Sequence, residues 1–217
     1  MEQRIDTIVF DLGGVLVDWD PRHLYRGEFE DEAAMEEFLA TVTTPAWNLE
    51  LDGGRSFAEG VRALVAEHPR HEALIRAYHE RWPEMLRDPI LGTVEILAEL
   101  RAVEVPCYAL TNWSAETFPH ARERFEFLST FDGVVVSGEE RAVKPDPALF
   151  AVLEQRFGVE PARTVFIDDS ATNVAGAAAR GYATVHFTGP EDLRARLATL
   201  GLPVTTEPGG GRNDTTG

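Results

Sequence analysis

Cysteine is nearly absent from this chain: Cys107 stands alone among 217 residues, so no disulfide can close within it. Its place inside the apolar run 105–110 predicts a buried thiol, and the lack of a disulfide suits a reducing cytoplasm. Basic residues are scarce. Twenty Lys and Arg face thirty-seven Asp and Glu, a formal net charge of -17, which disfavours nucleic acid or an anionic membrane as the main partner. Long apolar runs are missing too, since no stretch approaches the ~20 residues that cross a bilayer. Glu2, Arg4 and Asp6 ahead of the first apolar run leave no signal-peptide core, so no targeting segment is expected. There is no internal repeat. The length suits one domain with an insertion, or two small domains, and a monomer or homodimer is expected. The shortage of positive charge sets a condition: an anionic substrate must meet locally supplied charge, from lysine, helix N-termini or a metal ion.

What is present is organised around Thr7-Ile8-Val9-Phe10-Asp11-Leu12-Gly13-Gly14. Apolar, strand-favouring residues run into an aspartate and a glycine pair, the pattern of a buried parallel strand ending at a carboxylate. Open α/β sheets place their ligands at such strand ends, although taken alone the stretch is equally a strand closing in a turn. Residues 18–89 have a different texture. Helices are predicted over 31–40, from the capping box Ser56-Phe57-Ala58-Glu59 toward His68, and over 71–81, with no strand among them. Between them, 44–55 reads as a recognition loop carrying an exposed Trp47. His68 and His71 have helix-like spacing for a metal, but Pro69 separates them and no third ligand is near, so they read as surface residues.

From Leu91 helices and strands alternate: strands over 105–110, 133–137, 164–167 and 182–187, and helices over 94–100, 115–125, 147 onward, 170–180 and 190–200. This predicts an α/β fold with a doubly wound, mainly parallel, five-stranded Rossmann-like sheet. The core would comprise 1–17 and 90–202, a small all-helical cap 18–89, and a disordered tail 203–217, with cap hinges near 15–18 and 89–92.

Asp11, Thr111 and the pair Asp168-Asp169 each follow a predicted strand, and Lys144 lies shortly after another, so all converge on one carboxyl-end crevice. A carboxylate nucleophile, further carboxylates, a hydroxyl and a lysine suit phosphoryl transfer, because aspartate can accept a phosphoryl group. A carboxylate approaching a phosphate needs charge compensation, for which Mg²⁺ is the natural hard cation.

The motifs Asp11-Leu12-Gly13-Gly14-Val15, Leu110-Thr111-Asn112, Lys144-Pro145-Asp146-Pro147 and Ile167-Asp168-Asp169-Ser170-Ala171-Thr172-Asn173 occur in this order. Together they resemble the haloacid dehalogenase-like (HAD) hydrolase superfamily, most of all its small phosphatases with a helical cap after the first motif. The resemblance implies Asp11 as nucleophile; Asp11, the Gly13 carbonyl and Asp169 as Mg²⁺ ligands; and Asp168 and Asn173 as outer partners. It further implies that Thr111 and Lys144 stabilise the transferring group, and that the substrate is a small phosphomonoester, such as a sugar phosphate. Asn112, Trp113, Trp47 and Asn48 are candidate substrate contacts, with His23 beside them.

One departure stands out. Family phosphatases carry a second aspartate two residues after the nucleophile, to protonate the leaving oxygen and then activate water, and here that position is Gly13. Its absence should weaken a catalytic term commonly worth ~10²–10⁴-fold. Either a leaving group of low pKa or a cap carboxylate could compensate, and Asp18, Asp20, Glu50 and Asp52 are the candidates. Two alternatives stay open: a metal-independent 2-haloacid dehalogenase using Arg22, Arg26 or Arg55 to cradle halide or carboxylate, and a catalytically weak phosphoryl-binding protein.

Overall fold

A computed structural model of the protein describes residues 4–205. Its strands are β1 (Thr7–Phe10), β2 (Val17–Trp19), β3 (Leu86–Pro89), β4 (Cys107–Thr111), β5 (Gly133–Val136), β6 (Thr164–Asp168) and β7 (Ala183–His186). Five of them form a wholly parallel sheet in the order β5-β4-β1-β6-β7. β1 is central. It is flanked by β4 and β6 and covered on both faces, which explains why Ile8, Val9 and Phe10 are all apolar and fully buried.

The two-residue period of the strands sorts their side chains. Ile8, Phe10, Cys107, Ala109, Val165 and Ile167 point to one face, where helices Leu91–Ala102 and Pro190–Thr199 contribute Ile96, Leu97, Leu100, Leu193 and Leu197. Val9, Leu110 and Phe166 point to the other. There Pro147–Phe157 and Ala171–Ala179 supply Leu149, Phe150, Leu153 and Ala177. Each fully buried Val, Leu, Ile or Phe among them stabilises the fold by roughly 1.5–3 kcal/mol. The doubly wound prediction is met, with helix and strand ends shifted by a few residues.

The region between β1 and the rest of the sheet is mainly helical: Arg22–Tyr25, Glu32–Thr41, Pro45–Asp52, Phe57–Glu67 and Glu72–Glu80. An aromatic nucleus joins these helices, with Tyr25 5.0 Å from Phe38 and Trp47 5.0 Å from Tyr78, ring centroid to ring centroid. Two expectations for this region fail. β2 and β3 pair antiparallel in a short ribbon where no strand is predicted, their partners lying far apart in the chain and each strand too short to show alternation. The expected loop 44–55 is instead largely the helix Pro45–Asp52, with the Thr44 hydroxyl accepting from the Trp47 N–H at 3.1 Å and Pro45 at the first helical position.

Of the predicted tail, Val204 still packs against the core and Thr205 donates to Glu99 from both N–H and hydroxyl, at 2.9 and 2.6 Å; residues 206–217 lie outside the described residues. Among the described residues no helix is long and apolar enough to cross a membrane.

Candidate active site

Asp11 follows β1 directly, Thr111 closes β4 and Asp168 closes β6, so strand register alone brings them to one edge of the sheet. The Asp11 N–H donates to the Ile167 carbonyl at 2.8 Å, continuing the ladder one residue past β1. Asp11 Oδ1 accepts from the Leu12 N–H at 2.7 Å, and Oδ2 lies 2.8 Å from Lys144 Nζ. Lys144 is the hub. Its fully buried ammonium also donates to Asp168 Oδ2 at 2.7 Å and to the Leu110 carbonyl at 2.9 Å. Asp168 in turn accepts at Oδ1 from the Ser170 N–H at 2.8 Å and from Asn173 Nδ2 at 3.0 Å.

Lys144 owes its position to Asn112. That amide accepts from the Lys144 N–H at 2.7 Å and donates to the Lys144 carbonyl at 3.1 Å, so it grips the loop on both sides. Asn112, expected to touch substrate, therefore also fixes the lysine while lining the cleft.

Ligand atoms of Asp11, Asp168 and Asp169 lie within 4.8 Å of one another. Burial pushes the Asp11 carboxyl above its ordinary range, with Asp168 and Asp169 adding to the rise and Lys144 opposing it. Burial, then Asp168, raises Asp169 as well. Burial also works against the charge on Lys144, but the two aspartates outweigh it and hold the ammonium protonated. Three carboxylates and one lysine leave negative charge uncompensated, and Asp169 has no ion-pair partner among the described residues. This donor set of clustered hard oxygens fits Mg²⁺. Gly14 permits the clustering: at φ +72°, it leaves room where a Cβ would sit 2.4 Å from Asp169 Oδ2.

Beside these groups the helical region and the sheet edge bound a cleft of about 40 Å³, room for only a few waters, lined by Gly13, Trp19, Asn48, Asp52, Trp82, Asn112 and Trp113. Three of the chain's four tryptophans meet here. Trp113 and Trp82 pack at 5.6 Å, and the buried indole N–H groups of Trp19 and Trp113 have no partner among the described residues. Trp19 and Trp82 were not singled out from the sequence. The available signal was the rarity of tryptophan together with its placement at both ends of the insertion.

Trp47 is not in this cleft. Its side chain packs on Tyr78 inside the helical region, with 7% of the residue exposed, because it sits on the inner face of a helix rather than in a loop. Asn48, one residue on, does reach the cleft. His23 instead pairs with Asp18, Nε2 to Oδ1 at 2.9 Å. His68 ends helix Phe57–Glu67 and His71 packs on Phe38, both away from the carboxylate cluster.

The other candidates sort by partner. Asp20 bonds Arg22, which also holds Glu36, and Glu50 pairs with Arg55. Arg26 lies along an outer groove with Phe29 and Met35. No arginine lines the cleft among the described residues.

Comparison with known proteins agrees with this geometry. The family model for haloacid dehalogenase-like hydrolase matches residues 5–181. The sesquiterpene phosphatase of Aspergillus oryzae is 26% identical over 180 residues, covering 83% of this chain and 88% of the relative. A HAD family enzyme from Bacteroides thetaiotaomicron superposes with a TM-score of 0.70 at 23% identity, covering 89% of this chain and 98% of its own. The L-2-haloacid dehalogenase from Xanthobacter autotrophicus gives 0.60 at 21% identity, covering 90% of this chain and 83% of its own. With the four motifs gathered at one sheet edge and the family model spanning most of the chain, the protein belongs to the haloacid dehalogenase-like hydrolases.

Proposed function

We propose that this hydrolase is a Mg²⁺-dependent phosphatase acting on a small phosphomonoester through an aspartyl-phosphate on Asp11. The observation that carries the reading is the surplus carboxylate. Lys144 is shared between Asp11 and Asp168, which leaves Asp169 available beside the nucleophile for a cation. Asp11, Asp169 and the Gly13 carbonyl would hold Mg²⁺, with Asp168 and Asn173 behind them. The ion would supply the charge neutralisation that a phosphate dianion requires beside carboxylates. The same Bacteroides enzyme has been solved in complex with magnesium and inorganic phosphate, in keeping with this choice of cofactor.

Within the chain, Lys144 orients Asp11 and balances part of its charge, so that a carboxylate oxygen can attack phosphorus. Thr111 and the Asn112 N–H are the groups available to the phosphoryl oxygens, whereas the Trp113 N–H is held by the Ser137 hydroxyl. Trp19, Trp82 and Trp113 flank the space for the leaving group, and two unpartnered indole N–H groups favour a flat group bearing acceptors, such as a sugar or aryl alcohol. The dehalogenase alternative is disfavoured because Arg22 and Arg55 are held by other carboxylates and Arg26 lies elsewhere.

The test pairs para-nitrophenyl phosphate with 2-chloropropionate, each with Mg²⁺ and with excess chelator. Phosphate release that needs Mg²⁺ and drops at least ~10⁴-fold in Asp11→Asn is expected, as for loss of a nucleophile. Chloride release that persists in chelator would make the protein a dehalogenase, and phosphate binding without turnover would make it a binding protein.

A further inference from the structure

The cleft has two walls. On the core wall, Gly13 carries no carboxylate, and a Cβ built there would meet nothing within 4 Å, so the space into which a side chain would project is open. On the cap wall, Asp52 ends the helix Pro45–Asp52. It is the only carboxylate lining the cleft among the described residues, since Asp18, Asp20 and Glu50 are paired with His23, Arg22 and Arg55.

Asp52 is also held in place from several sides. Asn48 Nδ2, one helical turn earlier, donates to Asp52 Oδ2 at 2.8 Å, and the Tyr78 hydroxyl donates to Asn48 Oδ1 at 2.8 Å, which sets the amide's direction. The Ser114 N–H, on the core loop after β4, favours the anionic form of the carboxyl. Ser137 then locks cap to core: its hydroxyl donates to the Asp52 carbonyl at 2.6 Å and accepts from the Trp113 N–H at 2.8 Å. A surface acid would need none of this.

We infer that Asp52 takes the place of the aspartate missing at Gly13 and serves as general acid and then general base, presented to the reaction from the opposite wall of the cleft. The inference rests on the phosphatase reading above and supplies its missing proton carrier. In the first step an Asp11 oxygen attacks phosphorus, the bond to the leaving oxygen breaks, and the Asp52 carboxyl gives that oxygen its proton. In the second, Asp52 as carboxylate takes a proton from water as the water oxygen attacks phosphorus. The bond to Asp11 then breaks, releasing inorganic phosphate and restoring both aspartates.

The environment of Asp52 suits the task. Burial raises its pKa from 3.8 to about 7, against the Ser114 N–H, Asn48 and the Lys144 ammonium, so both protonation states are available near neutrality. Tyr78 also faces it, from helix Glu72–Glu80, and burial keeps that phenol neutral.

The experiment compares kcat/KM for glycerol 2-phosphate, whose alkoxide needs a proton, and para-nitrophenyl phosphate, whose leaving group does not, in wild type and Asp52→Asn with Mg²⁺. Asp52→Asn should lose ~10²–10⁴-fold on glycerol 2-phosphate and less than about tenfold on the aryl ester. Its alkaline limb of kcat/KM, near pH 7 in wild type, should vanish. Adding Gly13→Asp to Asp52→Asn should restore alkyl phosphate hydrolysis, because the new side chain enters open space. Equal losses on both substrates, or none, overturn the role of Asp52 while leaving the phosphatase intact. Wild-type protein that releases phosphate from neither substrate overturns the phosphatase reading itself. Should Asp52→Asn fail to fold, Asn48→Ala keeps the carboxyl and removes a donor to its anion. The alkaline limb should then move to higher pH, and an unmoved limb overturns the assignment.

Discussion

The sheet edge and the helical region inserted after β1, which we read as a cap, meet at a cleft but equip it by different means. On the core side the groups are charged, buried and mutually bonded: Lys144 joins Asp11, Asp168 and a carbonyl, and Asn112 and Asn173 hold the assembly from either flank. The cap side offers aromatic surface and one carboxyl steadied by an amide and a phenol. A buried charge network tolerates little change, because removing one member strands the others in a medium that solvates charge poorly. Aromatic walls set by helix packing can be exchanged at lower cost, which suits a substrate-selecting element over a fixed reaction centre.

The largest expected effect tests that asymmetry directly. Lys144→Met strands Asp11 and Asp168 as unpaired buried acids and should cost ~3–5 kcal/mol, read from the urea midpoint. Tyr78→Phe, which breaks the cap's bond to Asn48, should cost only ~1 kcal/mol. Equal costs would break the comparison.

Next in size is the response to pH and Mg²⁺. Asp11 and Asp52 both have folded pKa values raised above 3.8, Asp52 to about 7, so their neutral forms favour the folded state. Their contribution is complete below pH 3.8 and is lost as pH rises through the folded values. Glu99 works oppositely: Arg194 holds it at about 2, so its contribution is lost only on acidification below its ordinary range. The metal-free protein should therefore melt at lower temperature at pH 8 than at pH 5. Mg²⁺ should recover part of the loss, and Asp169→Asn should abolish that recovery, as binding linkage requires.

The smallest effect separates two tryptophans. Trp47→Phe should lower stability by ~1–2 kcal/mol through the void it leaves, without altering KM. Trp113→Phe should raise KM for an aryl phosphate with little change in melting temperature. An equal response in KM would place Trp47 at the substrate after all.

Much of the core was legible because its signals are local. Uninterrupted apolar runs marked buried strands, each ended in a polar motif, and a parallel sheet aligns all its strand ends on one edge, so Asp11, Thr111, Lys144 and Asp168 had to converge. The cap was less legible. Thr44-Pro45 held a helix-start signal that nearby Gly53 and Gly54 obscured, which cost Trp47 its correct placement. β2 and β3 carry too few residues for either to declare itself alone.

Determined by the sequence alone, then, were the parallel core, the order of its motifs and the gap at Gly13, since these depend on residue type and on periodicity within short windows. Which of four acidic residues faces that gap was decided only in three dimensions. Asp52 reaches the cleft because Ser137 and, through Asn48, Tyr78, remote in sequence, fix the rotation and seat of its helix, and no local pattern encodes a contact between distant segments.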